Sequence, residues 1–217
     1  MSAFFKVLRK RQYLDPYPFH NVRISFVDQW FVSTWVSEYD QFAMNPKRWK
    51  FGDGYFEQAN GLMPSDNPTR KKWIYDVDHL YLVHQVGGNH WVTLHVDLWK
   101  QKIDCYDSII GEGTVDSDLR ILEQCRPFTR MLPYLLNEII PETMRPKSFK
   151  QFAFRRRKGI TQNKNPGDCG VFSLKFAECL ALGVTFDGIS DKNMQAIRYR
   201  LATELFENTS DAFAQFQ

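Results

Sequence analysis

No stretch of this 217-residue chain approaches the run of about 18 apolar residues that a membrane-spanning helix needs, so no such helix is predicted. Cysteine is scarce: Cys105, Cys125, Cys169 and Cys179 form no CxxC pair, which argues against a disulfide framework and against a thiolate zinc site. An excess of either charge is also missing. The 28 basic and 25 acidic residues leave +3, too little to require a nucleic acid as partner. MSAFFKVLRKRQ at the N-terminus lacks the continuous apolar stretch of a secretory signal, so reduced thiols in nucleus or cytoplasm are the expectation. Lys6, Arg9, Lys10 and Arg11 precede any acidic residue, which leaves a mitochondrial presequence open beside a basic first helix. Internal repeats and long flexible linkers are absent. What is present is apolar material: 43% of residues are hydrophobic and 15% aromatic, enough for the core of one domain over residues 1–217. An enzyme or a binding domain fits this composition.

The patterning predicts an α+β fold. Residues 26–42 read as a packed helix with Ser25 or Asp28 as cap, and the proline- and glycine-rich 45–72 as irregular connection with short helical turns. Strands follow in VDHLYLVHQV, HWVTLHV and KIDCYD, broken at Gly87-Gly88-Asn89 and around Leu98-Trp99. Residues 116–140 have helical spacing, with Pro127 and Pro133 placed to split or kink the element. FAFRRRKGI reads as a further strand. Residues 169–182 form a helix stopped by Gly183, and a last helix carries Met194, Ile197, Leu201 and Leu205 on one face, capped by Ser190 or Asp191.

A turn centred between Leu98 and Trp99 pairs Val96 with Gln101, Leu94 with Ile103, Val92 with Cys105 and His90 with Asp107. A histidine and an aspartate then meet across two strands at roughly 5 Å between Cβ atoms, where the carboxylate fixes the imidazole tautomer and stabilises the imidazolium. Asp104, the rival orienter, alternates to the opposite face. Cys169 stands between the turn-rich NKNPGD and a helix, and unpaired N–H groups at a helix start favour a thiolate. Nucleophile, base and orienter are thus available, with Gln162 or Asn163 to stabilise an oxyanion. Bland roles suit the rest. Cys105, Cys125 and Cys179 are packing thiols, His79, His84 and His95 are structural or surface residues, and Asp168 caps the helix while facing away from the sulfur. Arg155-Arg156-Arg157-Lys158 is a solvated strand edge whose alternation divides it between two faces.

The order His, Asp, Gln, Cys, with HWV, YDS and GDCGVF around these residues, resembles the ubiquitin-like-protein-specific cysteine proteases, the SUMO protease family, which shares its core with the adenovirus protease. It is especially similar to the plant branch carried by transposable elements, and the similarity runs from about Phe4 to Phe206. The resemblance implies a papain-like core of permuted order, His before Cys, with a central mixed sheet flanked by helices. It also implies His90, Asp107 and Cys169 as catalytic residues, no metal or cofactor, and cleavage after the terminal glycine of SUMO or another ubiquitin-like protein. The family's oxyanion glutamine falls on Gln162, seven residues ahead of the cysteine, with Asn163 as the alternative, and its substrate tunnel on Trp91. The family opens with a Trp-Leu strand that this chain is expected to lack. An alternative therefore follows: a truncated, transposon-derived domain, weak or inactive as an enzyme, that binds a ubiquitin-like protein.

Overall fold

A computed structural model describes residues 1–109 and 115–214 of the chain, and among these described residues five strands and seven α-helices follow one another. Helix α1 (Ser2–Arg11) leads to the short strand β1 (Ile24–Phe26), then to α2 (Gln29–Met44), whose cap is Asp28: its carboxylate accepts from the Trp30 backbone N–H at 2.9 Å. The irregular stretch contains one helix, α3 (Asp53–Ala59). Strands β2 (His79–Val86), β3 (His90–Asp97) and β4 (Lys102–Tyr106) then form an antiparallel meander. The next segment holds α4 (Val115–Gln124) and α5 (Arg126–Ile139): Pro127 lies in the first turn of α5, where a proline is tolerated, and so marks the division from α4, whereas Pro133 lies inside α5 and does not split it. Strand β5 (Ala153–Arg156), α6 (Cys169–Leu182) and α7 (Met194–Ala214) complete the order. Gly183 ends α6 in the left-handed region at φ +70°, as its position predicts.

The sheet order is β1-β2-β3-β4-β5, with parallel pairs at both edges, so it is mixed, as expected. Its two faces have separate covers. Val92, Leu94 and Val96 of β3, with Ile103 and Cys105 of β4, face a core built with Phe31 and Trp35 of α2 and Leu132 and Leu135 of α5. Tyr81 and Val83 of β2 instead face α1 and α6, through Phe4, Phe5, Leu174 and Ala177. Thr93 donates its hydroxyl to the Ser173 carbonyl at 2.7 Å, which pins α6 to the second face of β3. The start of β3, the end of β4 and the N-terminus of α6 meet in consequence.

The three bystander cysteines are buried, as expected of packing thiols, and burial beside Cys125 pushes the Cys105 thiol well up. His84 is buried too. Its Nε2–H donates to the Gln124 carbonyl at 2.9 Å, and desolvation pushes it down to about 4, which makes it a neutral core residue.

Candidate active site

The β3–β4 turn lies one residue further on than the sequence suggests. Leu98 is fully buried in the first core, which draws β3 out to Asp97, and the turn occupies residues 98–101 with Gln101 at φ +53°. Leu94 therefore pairs with Cys105 and Val96 with Ile103, a register shifted by two residues from the expected one. A shift of two preserves the face of every side chain. His90 reaches Asp107 along the diagonal rather than directly across, and the contact forms: His90 Nε2 lies 2.7 Å from Asp107 Oδ1. Asp104 points to the other face, where Lys102 pairs with it at 2.7 Å.

Asp107 is an acceptor on all sides. Its Oδ1 also accepts the Ile109 N–H at 2.9 Å, while Oδ2 accepts from Arg156 Nη2 at 2.6 Å. Complete burial pushes the carboxyl up, but the hydrogen bonds from His90 and Ile109 and the charges of His90 and Arg156 outweigh it and hold Asp107 below the usual carboxylate range. An ionised carboxylate can only accept, so His90 carries its proton on Nε2 and keeps the lone pair on Nδ1. That Nδ1 is buried and takes no hydrogen bond from the described residues.

Cys169 is the first residue of α6, directly after the short helical turn Pro166–Asp168, and is 4% exposed. Its neighbour Gly170 shows what stands over it. A methyl group at Gly170 would lie 3.5 Å from Trp91 Cδ1 and 2.9 Å from the Met1 side chain, so the indole that follows His90 rests on the backbone that follows Cys169. Asp168 holds the N-cap position of α6, but its side chain makes no capping hydrogen bond. Its Oδ1 instead accepts from Arg198 Nε of α7 at 3.0 Å.

The two candidate oxyanion donors differ in engagement. Gln162 turns its amide back on its own loop, donating to the Ile160 carbonyl at 3.1 Å. Asn163 is 7% exposed; its N–H donates to the Ser108 carbonyl at 2.7 Å, and its Oδ1 accepts from the Asn165 N–H at 2.7 Å. The Asn163 Nδ2 has no acceptor among the described residues. The loop before Cys169 is thus tied to the residue after Asp107. Arg156, 4% exposed at its side chain, is the member of the site that the sequence reading missed. The signal was the period of two in FAFRRRK, which sends Phe152, Phe154 and Arg156 to one face. Among the described residues no group of three or more His, Cys, Asp or Glu side chains could hold a metal ion, and no helix is long and apolar enough to cross a membrane.

Residues 1–212 match the Ulp1 protease family, C-terminal catalytic domain. The chain belongs to this family. It is 27% identical to a sentrin-specific protease of Caenorhabditis elegans over 162 residues, 74% of this chain and 21% of that protein. It is 29% identical to sentrin-specific protease 5 of Mus musculus over 186 residues, 82% of this chain and 23% of that one. The chain thus spans about a fifth of the length of these relatives. Its fold is similar to the C-terminal Ulp1 protease domain solved in complex with Smt3, the yeast ortholog of SUMO, with a TM-score of 0.57 at 15% identity, covering 95% of this chain and 74% of the other. The α+β core with a mixed sheet is therefore that of the Ulp1 family.

Proposed function

We propose that this chain is a cysteine peptidase that cleaves after the C-terminal glycine of SUMO or another ubiquitin-like modifier, freeing it from a precursor or from a lysine side chain. The observation that carries the reading is the His90–Asp107 hydrogen bond of 2.7 Å, which leaves Nδ1 as the available base on the residue before Trp91, whose indole lies against Gly170 next to Cys169. In this reading Nδ1 takes the thiol proton and the sulfur attacks the glycine carbonyl carbon. The C–S bond forms as the carbonyl electrons move to oxygen. Collapse of this intermediate breaks the C–N bond, and the imidazolium returns its proton to the departing amine. Water, deprotonated by the same nitrogen, then displaces the sulfur and leaves a free glycine carboxylate. Trp91 over Gly170 keeps the approach narrow and favours residues without a Cβ.

Asn163 is the better oxyanion donor in this scheme, because its amide N–H is buried and unspent whereas that of Gln162 is engaged. Asn163→Ala is expected to lower kcat by about 10²-fold and Gln162→Ala by no more than about threefold. The reverse ranking would return the role to Gln162. The HWV, YDS and GDCGVF motifs favour placement in the plant, transposon-carried branch, with its core shared with the adenovirus protease. Splitting of the basic run between two faces weighs against a nucleic-acid partner.

The reading is tested with a SUMO precursor and with SUMO carrying a C-terminal electrophile, both followed by mass spectrometry. Expected are a modifier ending at its glycine and an adduct on the peptide that contains Cys169. Intact precursor and unmodified cysteine, with binding measured under the same conditions, would overturn the enzymatic reading in favour of a binding module.

A further inference from the structure

We propose that Arg156 is a positioning residue of the catalytic array, a buried cation that locks the Asp107 carboxylate toward His90 and balances its charge, so that it sets the pH range over which His90 works. The inference rests on the enzymatic reading above. Four observations carry it. Arg156 Nη2 donates to Asp107 Oδ2 at 2.6 Å, on the oxygen that His90 does not use. The same Nη2 donates to the Ile109 carbonyl at 3.2 Å, so the guanidinium also holds the segment whose N–H binds Oδ1. Its other arm, Nη1, donates to Ser117 Oγ at 3.1 Å and Asp118 Oδ1 at 2.9 Å, which fixes the fork from the side of α4. Both Asp107 and Arg156 are shielded from water, so neither can exchange its partner for solvent.

The parallel register explains why only one of the four basic residues does this. Cys105 pairs with Arg156 and Asp104 with Arg155, so Arg156 lies on the face of Cys105 and Asp107 while its neighbours go to the face of Asp104. Arg157 lies 3.9 Å from Asp104 there, and Lys158 reaches Asp118 at 3.9 Å. The groups that face the Asp107 carboxylate are therefore His90 from β3, Arg156 from β5 and, behind Arg156, Asp118 from α4. The Cys105 thiol lies beside them on β4, with Cys125 next to it. The groups follow one another through successive contacts: imidazole, carboxylate, guanidinium, carboxylate.

This succession of charges has a chemical use. His90 must be neutral when it takes a proton and cationic when it returns one, and a fully buried Asp107 facing a neutral imidazole would be an unpaired charge. A permanent guanidinium on the far oxygen keeps the carboxylate ionised in both states. It also weakens the field that Asp107 exerts on the imidazolium, since a carboxylate and a cation together present a nearly neutral pair. Removing the cation should thus strengthen the hold on the imidazolium proton, while removing Asp118 should do the opposite.

The test compares Arg156→Gln, Arg156→Lys and Asp118→Asn with the unaltered chain, reading kcat/KM for a SUMO precursor across pH and the titration of the His90 ring by NMR. Arg156→Gln is expected to lose about tenfold in kcat/KM through looser orientation. The acidic limb of its profile, where His90 must lose its proton to act as base, and its His90 titration should both move to higher pH by up to about one unit. Arg156→Lys should restore the limb to its original position with only part of the rate, because a lysine supplies the charge without the fork. Asp118→Asn should move the limb to lower pH. A role confined to packing would lower the amplitude in Arg156→Gln and leave every limb in place, and that result would overturn the proposal. If Arg156→Gln fails to fold, the Asp118→Asn profile decides: a downward shift supports the proposal and an unmoved limb overturns it. Absence of turnover in the unaltered chain would count against the enzymatic reading alone, since the His90 titration still decides the role of Arg156.

Discussion

Cys169→Ala is expected to reduce kcat/KM for a SUMO precursor by at least about 10⁴-fold while leaving affinity for the modifier within about twofold. The two halves of this expectation have separate physical origins. The sulfur is the atom that forms the new bond, and neither His90 nor a buried amide can substitute for it, so residual turnover reflects substrate positioning only. Affinity is spread over a protein–protein surface, in which a side chain only 4% exposed contributes little contact area. Folding should survive as well. Cys169 occupies the first position of α6, and losing one sulfur atom there costs on the order of 1 kcal/mol. The measurement pairs a fluorogenic cleavage assay with calorimetric titration of the mature modifier. Loss of both activity and binding would show that the substitution has damaged the surface, whereas unchanged cleavage would remove Cys169 from the mechanism. Cys169→Ser gives a sharper version: the hydroxyl is a much weaker nucleophile than a thiolate, so a geometrically intact site should still be slowed by several orders of magnitude.

Much of the site is legible in the sequence because it depends on parity rather than on register. His90, Val92, Leu94 and Val96 alternate with polar or half-buried residues, and this assigns His90 to the face of Asp107 for any even displacement of the strands. The displacement itself depends on Leu98. That side chain reads as part of a polar turn, yet it is fully buried because the core under α2 and α5 extends past the end of β3. Burial of a single residue by distant helices leaves no local trace. Arg156 was hidden for the opposite reason: its local pattern was present, but a run of four basic residues reads first as solvated charge, and only the anions supplied by β4 and α4 turn one of them inward. The choice between Gln162 and Asn163 depends on hydrogen bonds to Ser108 and Asn165, which no spacing rule encodes. Asp168 shows the same limit: Arg198, 30 residues later in the chain, takes the carboxylate that the helix cap was expected to use.

Asp107→Asn should be the most damaging near-isosteric change in the molecule, because it removes an orienter and strands a cation at once. Catalysis should fall by about 10³–10⁴-fold, since an amide can present an N–H to His90 and so stabilise the wrong tautomer, with the proton on Nδ1 where the lone pair is needed. Stability should fall by about 3–5 kcal/mol, the scale for breaking a buried ion pair from one side, because Arg156 remains 4% exposed without its main counter-charge. The pH dependence distinguishes this account from simple loss of packing. Asp107 is held below the ordinary carboxylate range in the folded chain, so its contribution is fully present above about pH 4 and disappears as pH falls through its folded value. The gap in melting temperature between the unaltered chain and Asp107→Asn should therefore be constant from about pH 5 to 8 and close at lower pH. A gap that persists unchanged into acid would mean that shape, not charge, is what Asp107 contributes. The double variant Asp107→Asn with Arg156→Met separates the two losses: removing the stranded cation should recover a large part of the stability and none of the activity. Differential scanning calorimetry and the cleavage assay on the same three proteins read both quantities, and recovery of activity in the double variant would sink the assignment of Asp107 as the residue that orients His90.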